Sequence, residues 1–289
     1  MTRIMPITGP RKGKFPESNC LLVKDTNTSI LVDAGCGEEN IHRLRDRIDA
    51  VVYTHIHPDH ITYHHLLARK PSYIPVQDQS YQTLEELAKR YAPEIWRDWL
   101  NYARSIFKIK EPPQPIHVYE SWQTFRIHGI EVQPIPAPGH TRGHHMLLID
   151  NHLHLSDIDL TPFGPWYGHP ESSIQSFIND INLAKRIDAK TVSTSHIPKI
   201  LTKTEANTRL DHYLEKLNQQ LTRTLENMSP NTPQTPRGLA GKGIIYKRYL
   251  PGMETVMHYF ETQIIYKILE HLTYTGQVQK TRFGYINPR

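Results

Sequence analysis

The sequence predicts an α/β layered fold followed by a helical C-terminal module, and three observations support this prediction. Over the first 200 residues, short apolar blocks alternate with amphipathic stretches, as strands and helices packed in layers require. Histidine and aspartate residues stand where several of the predicted strands end. Beyond residue 202, strand-like blocks give way to helical periodicity. We therefore expect an α/β domain over residues 1–202 and a helical, basic extension over residues 203–289.

Two hairpins and a further strand follow from the local patterns. The blocks Cys20–Lys24 and Ser29–Asp33 flank a turn-like segment and predict the first hairpin. The blocks His144–Ile149 and His152–Ser156 flank Asp-Asn and predict the second. Residues 49–54 predict a strand that ends just before a histidine-rich segment.

Helices are predicted where apolar residues recur at a spacing of three or four. The stretches that show this spacing are residues 40–48, 80–108 with a break at Pro93, 172–186, 205–228 and 253–274. The proline-rich residues 229–237 separate the last two stretches and predict a loop or linker.

Composition indicates a folded protein without a membrane span. The chain has 289 residues, of which 38% are hydrophobic, and this length suffices for one large α/β domain with an appendage or for two ordinary domains. The N-terminus lacks the apolar stretch of a signal peptide, and no window approaches the roughly 18 apolar residues of a membrane helix. We expect a cytoplasmic protein that does not bind membranes. The two cysteines, Cys20 and Cys36, are too few for a disulfide framework and are expected to be small buried residues.

The net charge of +5 is unevenly distributed. Residues 231–289 contain eight basic and three acidic side chains, which accounts for the whole excess. Such a basic region attracts a polyanion or an acidic substrate. A solvated basic surface is the alternative interpretation.

The segment 55–60 concentrates three imidazoles and one carboxylate, which are the nitrogen and oxygen ligands that zinc prefers. His55 and His57 would turn toward one ion, while Asp59 and His60 would reach a second. Two ions need more ligands than this segment has. Further candidates are His140, which follows a Pro-Gly turn, Asp157, which ends the second hairpin, and His196, which ends a strand predicted over residues 190–195.

Together these motifs resemble the metallo-β-lactamase superfamily. The motifs that carry the resemblance are His55-Ile-His-Pro-Asp-His60, Gly139-His-Thr-Arg-Gly-His144, Ser156-Asp157 and Ser195-His196. The resemblance covers about residues 4–200 and implies a four-layer αββα sandwich. It also implies a hydrolase that uses a metal-bridging hydroxide and two Zn²⁺ ions per chain, with Fe or Mn as alternative metals.

The resemblance implies a role for each candidate ligand. His55, His57 and His140 would bind the first ion, and Asp59, His60 and His196 the second. Asp59 would also accept a hydrogen bond from the nucleophile. Asp157 would bridge the two ions, although Ser156 stands where the superfamily commonly has glycine, and Asp159 is a rival for this role. Two more positions match residues that support the ligands, Asp33 and His144; a plain turn aspartate is the alternative for Asp33.

The loop 163–169 is the candidate substrate-binding segment. Its glycines and prolines fix a tight loop just after Asp157. Trp166, Tyr167 and His169 would project into the substrate cleft, where a hydroxyl or imidazole would stabilise an oxyanion or donate a proton. Packing beneath the loop is the alternative.

Several functions remain compatible with the sequence, because fold does not determine substrate. We expect hydrolysis of a small ester, thioester or lactone. A nuclease or phosphodiesterase is an alternative, since the basic C-terminal residues would contact nucleic acid. An iron-dependent oxidoreductase and a non-catalytic metal-binding protein are further alternatives. The sequence leaves open whether the chain forms an oligomer.

Overall fold

The computed structural model describes residues 2–81, 83–114 and 117–288, and its centre is a pair of six-stranded sheets. The strands of the first sheet, in spatial order, are β1 (Arg3–Ile7), β2 (Cys20–Lys24), β3 (Ser29–Val32), β4 (Ala50–Val52), β5 (Ser72–Pro75) and β6 (His117–Tyr119). β1 to β3 are antiparallel, and β3 to β6 are parallel.

The second sheet has one parallel pair among antiparallel neighbours. Its strands are β7 (Phe125–Ile127), β8 (Ile130–Pro136), β9 (His145–Ile149), β10 (His152–His154), β11 (Thr191–Ser193) and β12 (Leu201–Thr202), in the spatial order β12-β11-β10-β9-β8-β7. Only β10 and β11 are parallel within this sheet of the described chain. A separate C-terminal hairpin pairs β13 (Gln279–Thr281) with β14 (Gly284–Ile286).

Eight α-helices accompany the sheets in the described residues. They are α1 (Glu38–Leu44), α2 (Pro58–Ile61), α3 (Leu84–Tyr91), α4 (Trp96–Tyr102), α5 (Ile174–Arg186), α6 (Lys203–Glu226), α7 (Pro236–Leu239) and α8 (Glu254–Tyr274). Short 3₁₀ turns lie at His64–Leu67, Val76–Asp78 and Pro93–Ile95, and one π-helical turn at Ala103–Phe107.

Alternating side chains explain why each sheet is buried on both faces. In β2, Leu21 and Val23 point toward the second sheet, whereas Cys20 and Leu22 point toward α1, α3 and α4. Successive residues of a strand face opposite sides, so an apolar run serves two cores at once. The result is a helix–sheet–sheet–helix arrangement, and the predicted four-layer αββα sandwich is confirmed.

The C-terminal helices complete the outer layer on the second sheet. Side chains of α6 and α8 share one hydrophobic cluster with α5 and with the outer face of that sheet. α8 also reaches the other cluster, because Val256 and Tyr259 at its N-terminal end pack with Trp99 of α4. The segment beyond residue 202 therefore shares its core with the strands that precede it.

Both predicted hairpins and the predicted helical stretches are present, with ends that differ by a few residues. The stretch 229–237 is more ordered than a linker: Thr235 caps the short helix α7, and Gln234 forms a bridge with Tyr285. None of the helices in the described part of the chain combines the length with the apolar character that a membrane span requires.

The shared core leads to a stability prediction. Ile268 of α8 is fully buried, so Ile268→Ala should lower the free energy of unfolding by about 2–5 kcal/mol, as expected for a large-to-small core change. Urea denaturation should show one cooperative transition for the whole chain. The matched control is Tyr274→Ala on the same helix, whose side chain is 81% exposed and whose effect should stay within about 0.5 kcal/mol. Equal effects of the two changes would contradict the shared core.

Candidate metal centre

The histidine-rich segment leaves the first sheet at the end of β4 and turns at once into a helix. His55 and His57 lie in this turn, and Pro58 opens the single-turn helix α2, which carries Asp59 and His60. Proline suits this position because its fixed φ is already helical and the missing N–H has no intrahelical partner. The loop after β3 anchors this turn, since the N–H of Ala34 donates to the carbonyl of His60.

Gly35 allows α2 to lie close to the loop that follows β3. A Cβ atom at Gly35 would overlap the carbonyl oxygen of Asp59, so a larger residue would push α2 away from the loop that follows β3.

The other candidate ligands come from three loops at the same edge of the second sheet. His140 lies in the turn between β8 and β9, Asp157 follows β10, and His196 follows β11. Two sets of side chains converge, each with all ligand atoms within 4.8 Å of one another. The first donor group is His55, His57, His140 and Asp157, and the second donor group is Asp59, His60, Asp157 and His196.

Asp157 belongs to both groups because its two carboxylate oxygens face different histidines. Oδ2 lies 3.3 Å from His140 Nε2, and Oδ1 lies 3.0 Å from His60 Nε2 and 3.5 Å from His196 Nε2. The contact between His57 Nδ1 and His140 Nε2 is 2.8 Å. All seven side chains predicted from the sequence are thus brought together.

Hydrogen bonds to four of the imidazoles fix which nitrogen faces the centre. The Nδ1–H groups donate to nearby oxygens: His55 to Thr54 Oγ1 (3.1 Å), His60 to Asp33 Oδ2 (2.8 Å), His140 to the carbonyl of Trp166 (3.0 Å) and His196 to the carbonyl of Gly13 (2.6 Å). Their Nε2 atoms therefore face the donor groups, as in known metal sites. His57 differs, because its Nδ1 faces inward.

Asp33 holds the metal-binding segment in place through hydrogen bonds. It is fully buried and adopts a left-handed backbone conformation, φ 59°. Its carboxylate accepts hydrogen bonds from the Thr54 N–H (2.9 Å), the Thr54 hydroxyl (2.9 Å) and His60. The hydroxyl of Ser156 donates to Thr54 Oγ1 at 2.8 Å. The predicted orienting role of Asp33 therefore has a direct geometric basis, and Ser156 joins the same network.

Burial keeps the histidines of the first donor group neutral. Desolvation lowers the pKa of His55 and of His57 well below the ordinary value and also lowers the pKa of His140. Neutral imidazole is the form that binds a metal ion.

The second donor group is ion-paired. Burial lowers the pKa of His60, but the carboxylates of Asp157 and Asp33 outweigh burial and raise the pKa well above its ordinary value. Burial also opposes the charge of His196, yet Asp157 raises its pKa to about 10. Burial would raise the pKa of Asp157, but His60 and His196 hold it well below the ordinary range. Protons on the two imidazoles thus balance the carboxylates, and a bound cation would take over this role as it displaces them.

The side chains fit a metal ion in chemistry as well as position. His55 Nε2, which faces the first donor group, is buried without a hydrogen-bond partner among the described residues, although buried polar atoms are nearly always paired. Imidazole nitrogens with carboxylate oxygens are a ligand set that suits zinc, iron and manganese.

Comparison with known proteins identifies the family. The model of the metallo-β-lactamase superfamily matches residues 13–196. The chain belongs to the metallo-β-lactamase superfamily. Most members of this superfamily are hydrolases, and the resemblance inferred from the motifs is confirmed. No curated protein matches the chain closely enough to count as a relative.

Solved structures extend the likeness of fold to the C-terminal helices. A metallo-β-lactamase family protein from Thermus thermophilus has a TM-score of 0.73 at 16% identity, over 99% of this chain and 98% of that one. A β-lactamase domain protein from Burkholderia ambifaria has a TM-score of 0.71 at 16% identity, over 99% and 92%. A subclass B3 metallo-β-lactamase of Bradyrhizobium japonicum has a TM-score of 0.52 at 15% identity, over 71% and 88%. At these identities the likeness concerns the superfamily fold alone.

Asp159, the rival to Asp157, points away from the centre. Its carboxylate accepts a hydrogen bond from the hydroxyl of Tyr213 (2.8 Å) and two from Thr161. It belongs to neither donor group. Asp157 and Asp159 do not face the same way because the chain turns directly after β10, with Ser156 at φ 51°, and the alternation of an extended strand does not apply there.

The expectation that Tyr167 projects into the cleft is wrong. Its side chain is fully buried, and its hydroxyl donates to Gln220 of α6 at 2.6 Å. Tyr167 therefore anchors the 163–169 loop to the C-terminal helices. Trp166 and His169 do lie beside the first donor group, with ring centroids 5.7 and 6.0 Å from that of His57.

Sequence reasoning missed the contacts that support the site from the C-terminal segment. The indole N–H of Trp166 donates to the hydroxyl of Tyr246 (2.9 Å), and the carbonyl of the same Trp166 holds His140. The loop with Tyr246 is in turn held by buried Glu261 of α8, which accepts hydrogen bonds from three backbone N–H groups. Acceptors on the main chain, such as the Gly13 carbonyl, have no signal in the sequence.

A buried carboxyl behind His140 gives the stability a pH dependence. Asp180 of α5 accepts a hydrogen bond from the Gly139 N–H at 2.7 Å, and burial raises its pKa from 3.8 to about 7. Because the folded protein holds this proton more tightly than the unfolded chain, the stabilisation is complete below about pH 4 and is lost as the pH rises through about 7.

Asp180→Asn keeps an acceptor for Gly139 and does not titrate. The free energy of unfolding of this variant, minus that of the wild type, should therefore increase between pH 4 and pH 7. At about 1.4 kcal/mol per pKa unit, the increase is about 4 kcal/mol at most. Urea denaturation of the chelator-treated wild type and of Asp180→Asn at each pH measures this increase. Parallel stability curves would contradict the raised pKa of Asp180.

Proposed function

We propose that this superfamily member is a binuclear metallohydrolase that acts on a small ester, thioester or lactone. His55, His57 and His140 would hold one ion, and Asp59, His60 and His196 the other, with Asp157 shared between them. Two Zn²⁺ ions fit the nitrogen-rich donor set best, and iron or manganese would also be accepted. The observation that carries the proposal is the position of Asp157, whose two oxygens face one donor group each.

The chemistry needs no serine or cysteine nucleophile. When bound, the ions would lower the pKa of a water molecule to roughly 7 and so make hydroxide available at neutral pH. The protein's own side chains would hold the ions and orient the attacking water. Asp59 Oδ2 lies 3.5 Å from His196 Nε2 in the second donor group, where a carboxylate would accept a hydrogen bond from the attacking water and later hold its proton.

The surroundings of the first donor group favour a small substrate over a phosphodiester. The rings of Tyr91 and Trp166 contact His57. Arg90 and Lys267 both contact the loop beyond Trp166, but each is committed: Arg90 to Asp78 and Glu171, and Lys267 to the carbonyl of Pro170. Phosphate binding relies on available Lys and Arg, and these two are engaged elsewhere.

One observation favours a nuclease or phosphodiesterase as the second candidate. Basic and aromatic side chains lie together near the C-terminus: Arg282 stacks on Phe283, which is 64% exposed, and Lys280 lies beside Tyr266. Cations with exposed rings are typical of surfaces that bind single-stranded nucleic acid.

A substrate panel with the zinc-loaded protein tests the proposal. We expect turnover of at least one of 4-nitrophenyl butyrate, S-butyryl thiocholine and γ-butyrolactone, and loss of turnover after chelation that zinc restores. Asp59→Ala should reduce kcat by about 10²–10⁴-fold, the contribution of a positioned acid or base.

The matched control is Asp159→Asn, since Asp159 is a nearby carboxylate outside both donor groups; it should keep most of the activity. Circular dichroism should show that both variants are folded. Near-normal turnover by Asp59→Ala would contradict the proposed catalytic role of Asp59. Cleavage of RNA or of bis(4-nitrophenyl) phosphate that weakens steeply with added salt would favour the second candidate instead.

A further inference from the structure

His169 has a buried ring nitrogen without a partner, directly beside the first donor group. The side chain is fully buried. Its ring lies edge-on to Tyr91 at 4.4 Å and 6.0 Å from the ring of His57. Nδ1 accepts a hydrogen bond from the Glu171 N–H at 3.1 Å, so in the neutral ring the proton is on Nε2. That Nε2–H donor has no acceptor among the described residues.

An unpaired buried donor is costly and requires an explanation. An oxygen acceptor would satisfy the Nε2–H group of His169. A substrate carbonyl or a carboxylate supplies such an oxygen.

The position of His169 is fixed by an ion-pair clamp that reaches the metal-binding segment. Glu171, two residues beyond His169, accepts two hydrogen bonds from Arg90, at 2.7 and 3.2 Å. Arg90 also donates to Asp78 at 2.7 Å, and its guanidinium packs on Tyr81. The Arg90 side chain is only 4% exposed, and two-point pairing of this kind fixes geometry as well as charge.

The clamp continues from Asp78 to the histidine-rich segment. The backbone N–H of Ile56, between His55 and His57, lies close enough to Asp78 to favour the charged form of its carboxylate and so to lower its pKa, although burial outweighs this effect. From the other side, Lys267 of α8 donates to the Pro170 carbonyl at 2.6 Å. His169 is therefore held on both flanks and is tied, through Arg90, to the same backbone that presents the first donor group.

We propose that His169 is a catalytic residue of the hydrolysis proposed above, and that Arg90 is its positioning residue. The Nε2–H of His169 donates a hydrogen bond to the carbonyl oxygen of the substrate, where negative charge develops during attack by water. Glu171 fixes the tautomer, and Arg90 holds Glu171. A preorganised donor in a buried site stabilises developing charge far better than the same donor in water.

Two substitutions at position 169 separate donation from packing. His169→Phe keeps a ring but removes the donor, and His169→Gln keeps an amide N–H close to the position of Nε2. In the zinc-loaded full chain, His169→Phe should lower kcat by about 10²-fold, the effect of removing one such donor, with little change in KM. The kcat of His169→Gln should be at least about tenfold higher than that of His169→Phe. The zinc content and melting temperature should stay near those of the wild type.

A double-mutant cycle tests the positioning role. Arg90→Lys keeps the charge but loses the two-point pairing with Glu171, and we expect it to lower kcat about tenfold. Added to His169→Phe, it should lower kcat no further, since coupled residues are not additive. Full additivity of the two losses would overturn the role of Arg90.

Binding of butyrate, the product of the ester substrate, gives a readout that does not depend on turnover. Isothermal titration of the zinc-loaded protein should give a Kd for His169→Phe about tenfold weaker than for the wild type, with partial recovery in His169→Gln. Should wild-type protein hydrolyse no panel substrate, the proposed function fails, and this titration alone decides whether His169 is a donor to ligand oxygen.

Three outcomes would overturn the inference itself. They are wild-type kcat in His169→Phe, equal butyrate affinity in wild type and His169→Phe, and absence of butyrate binding to the wild type. A fall in melting temperature without a change in kcat would identify His169 as a packing residue. If His169→Phe does not fold, the comparison of His169→Gln and Arg90→Lys with wild type decides, and unchanged kcat in both would overturn the inference.

Discussion

The arrangement of the site depends on one buried carboxylate with a different set of histidines at each oxygen. Asp157 lies where the loop after β10 meets α2, and it draws His60 and His196 to one side and His140 to the other. A carboxylate in a buried position must be compensated by positive charge or by hydrogen bonds. Its surroundings supply both, and they leave the lone pairs of several imidazoles directed at the same small volume.

The two donor groups differ in the protonation of their imidazoles. The first is kept neutral by burial, whereas the second is balanced by protons on two histidines. An ion at the first group would therefore meet neutral imidazoles, whereas an ion at the second would have to displace protons.

The sequence was sufficient to name the seven candidate ligands that the fold brings together, because their signal is local. His55 to His60 lie in one short segment, His140 follows a Pro-Gly turn, and Asp157 and His196 each follow a strand that the hydrophobic pattern predicts. The alternation of buried residues in β2 and β3 likewise determines the layered fold. The same reasoning failed at Tyr167, because a glycine- and proline-rich loop reveals that it is tight but not which of its side chains point inward.

The supporting contacts were out of reach for a different reason. Gly13 acts through a carbonyl oxygen, and Glu261 and Tyr246 act from a segment that is distant in sequence and joins the site only through the packing of α8. Arg90 and Glu171 are 81 residues apart. No periodicity or motif connects such residues, since their partnership exists only once both sheets and the outer helices are assembled.

The most direct test of the two-ion account is a crystal structure of the zinc-loaded protein with anomalous scattering measured on both sides of the zinc absorption edge. We predict two zinc peaks about 3.5–4 Å apart, as in two-metal hydrolases, with the Asp157 carboxylate between them and three further ligands at each. A single peak at full occupancy, or two peaks with Asp157 bound to neither ion, would contradict the account.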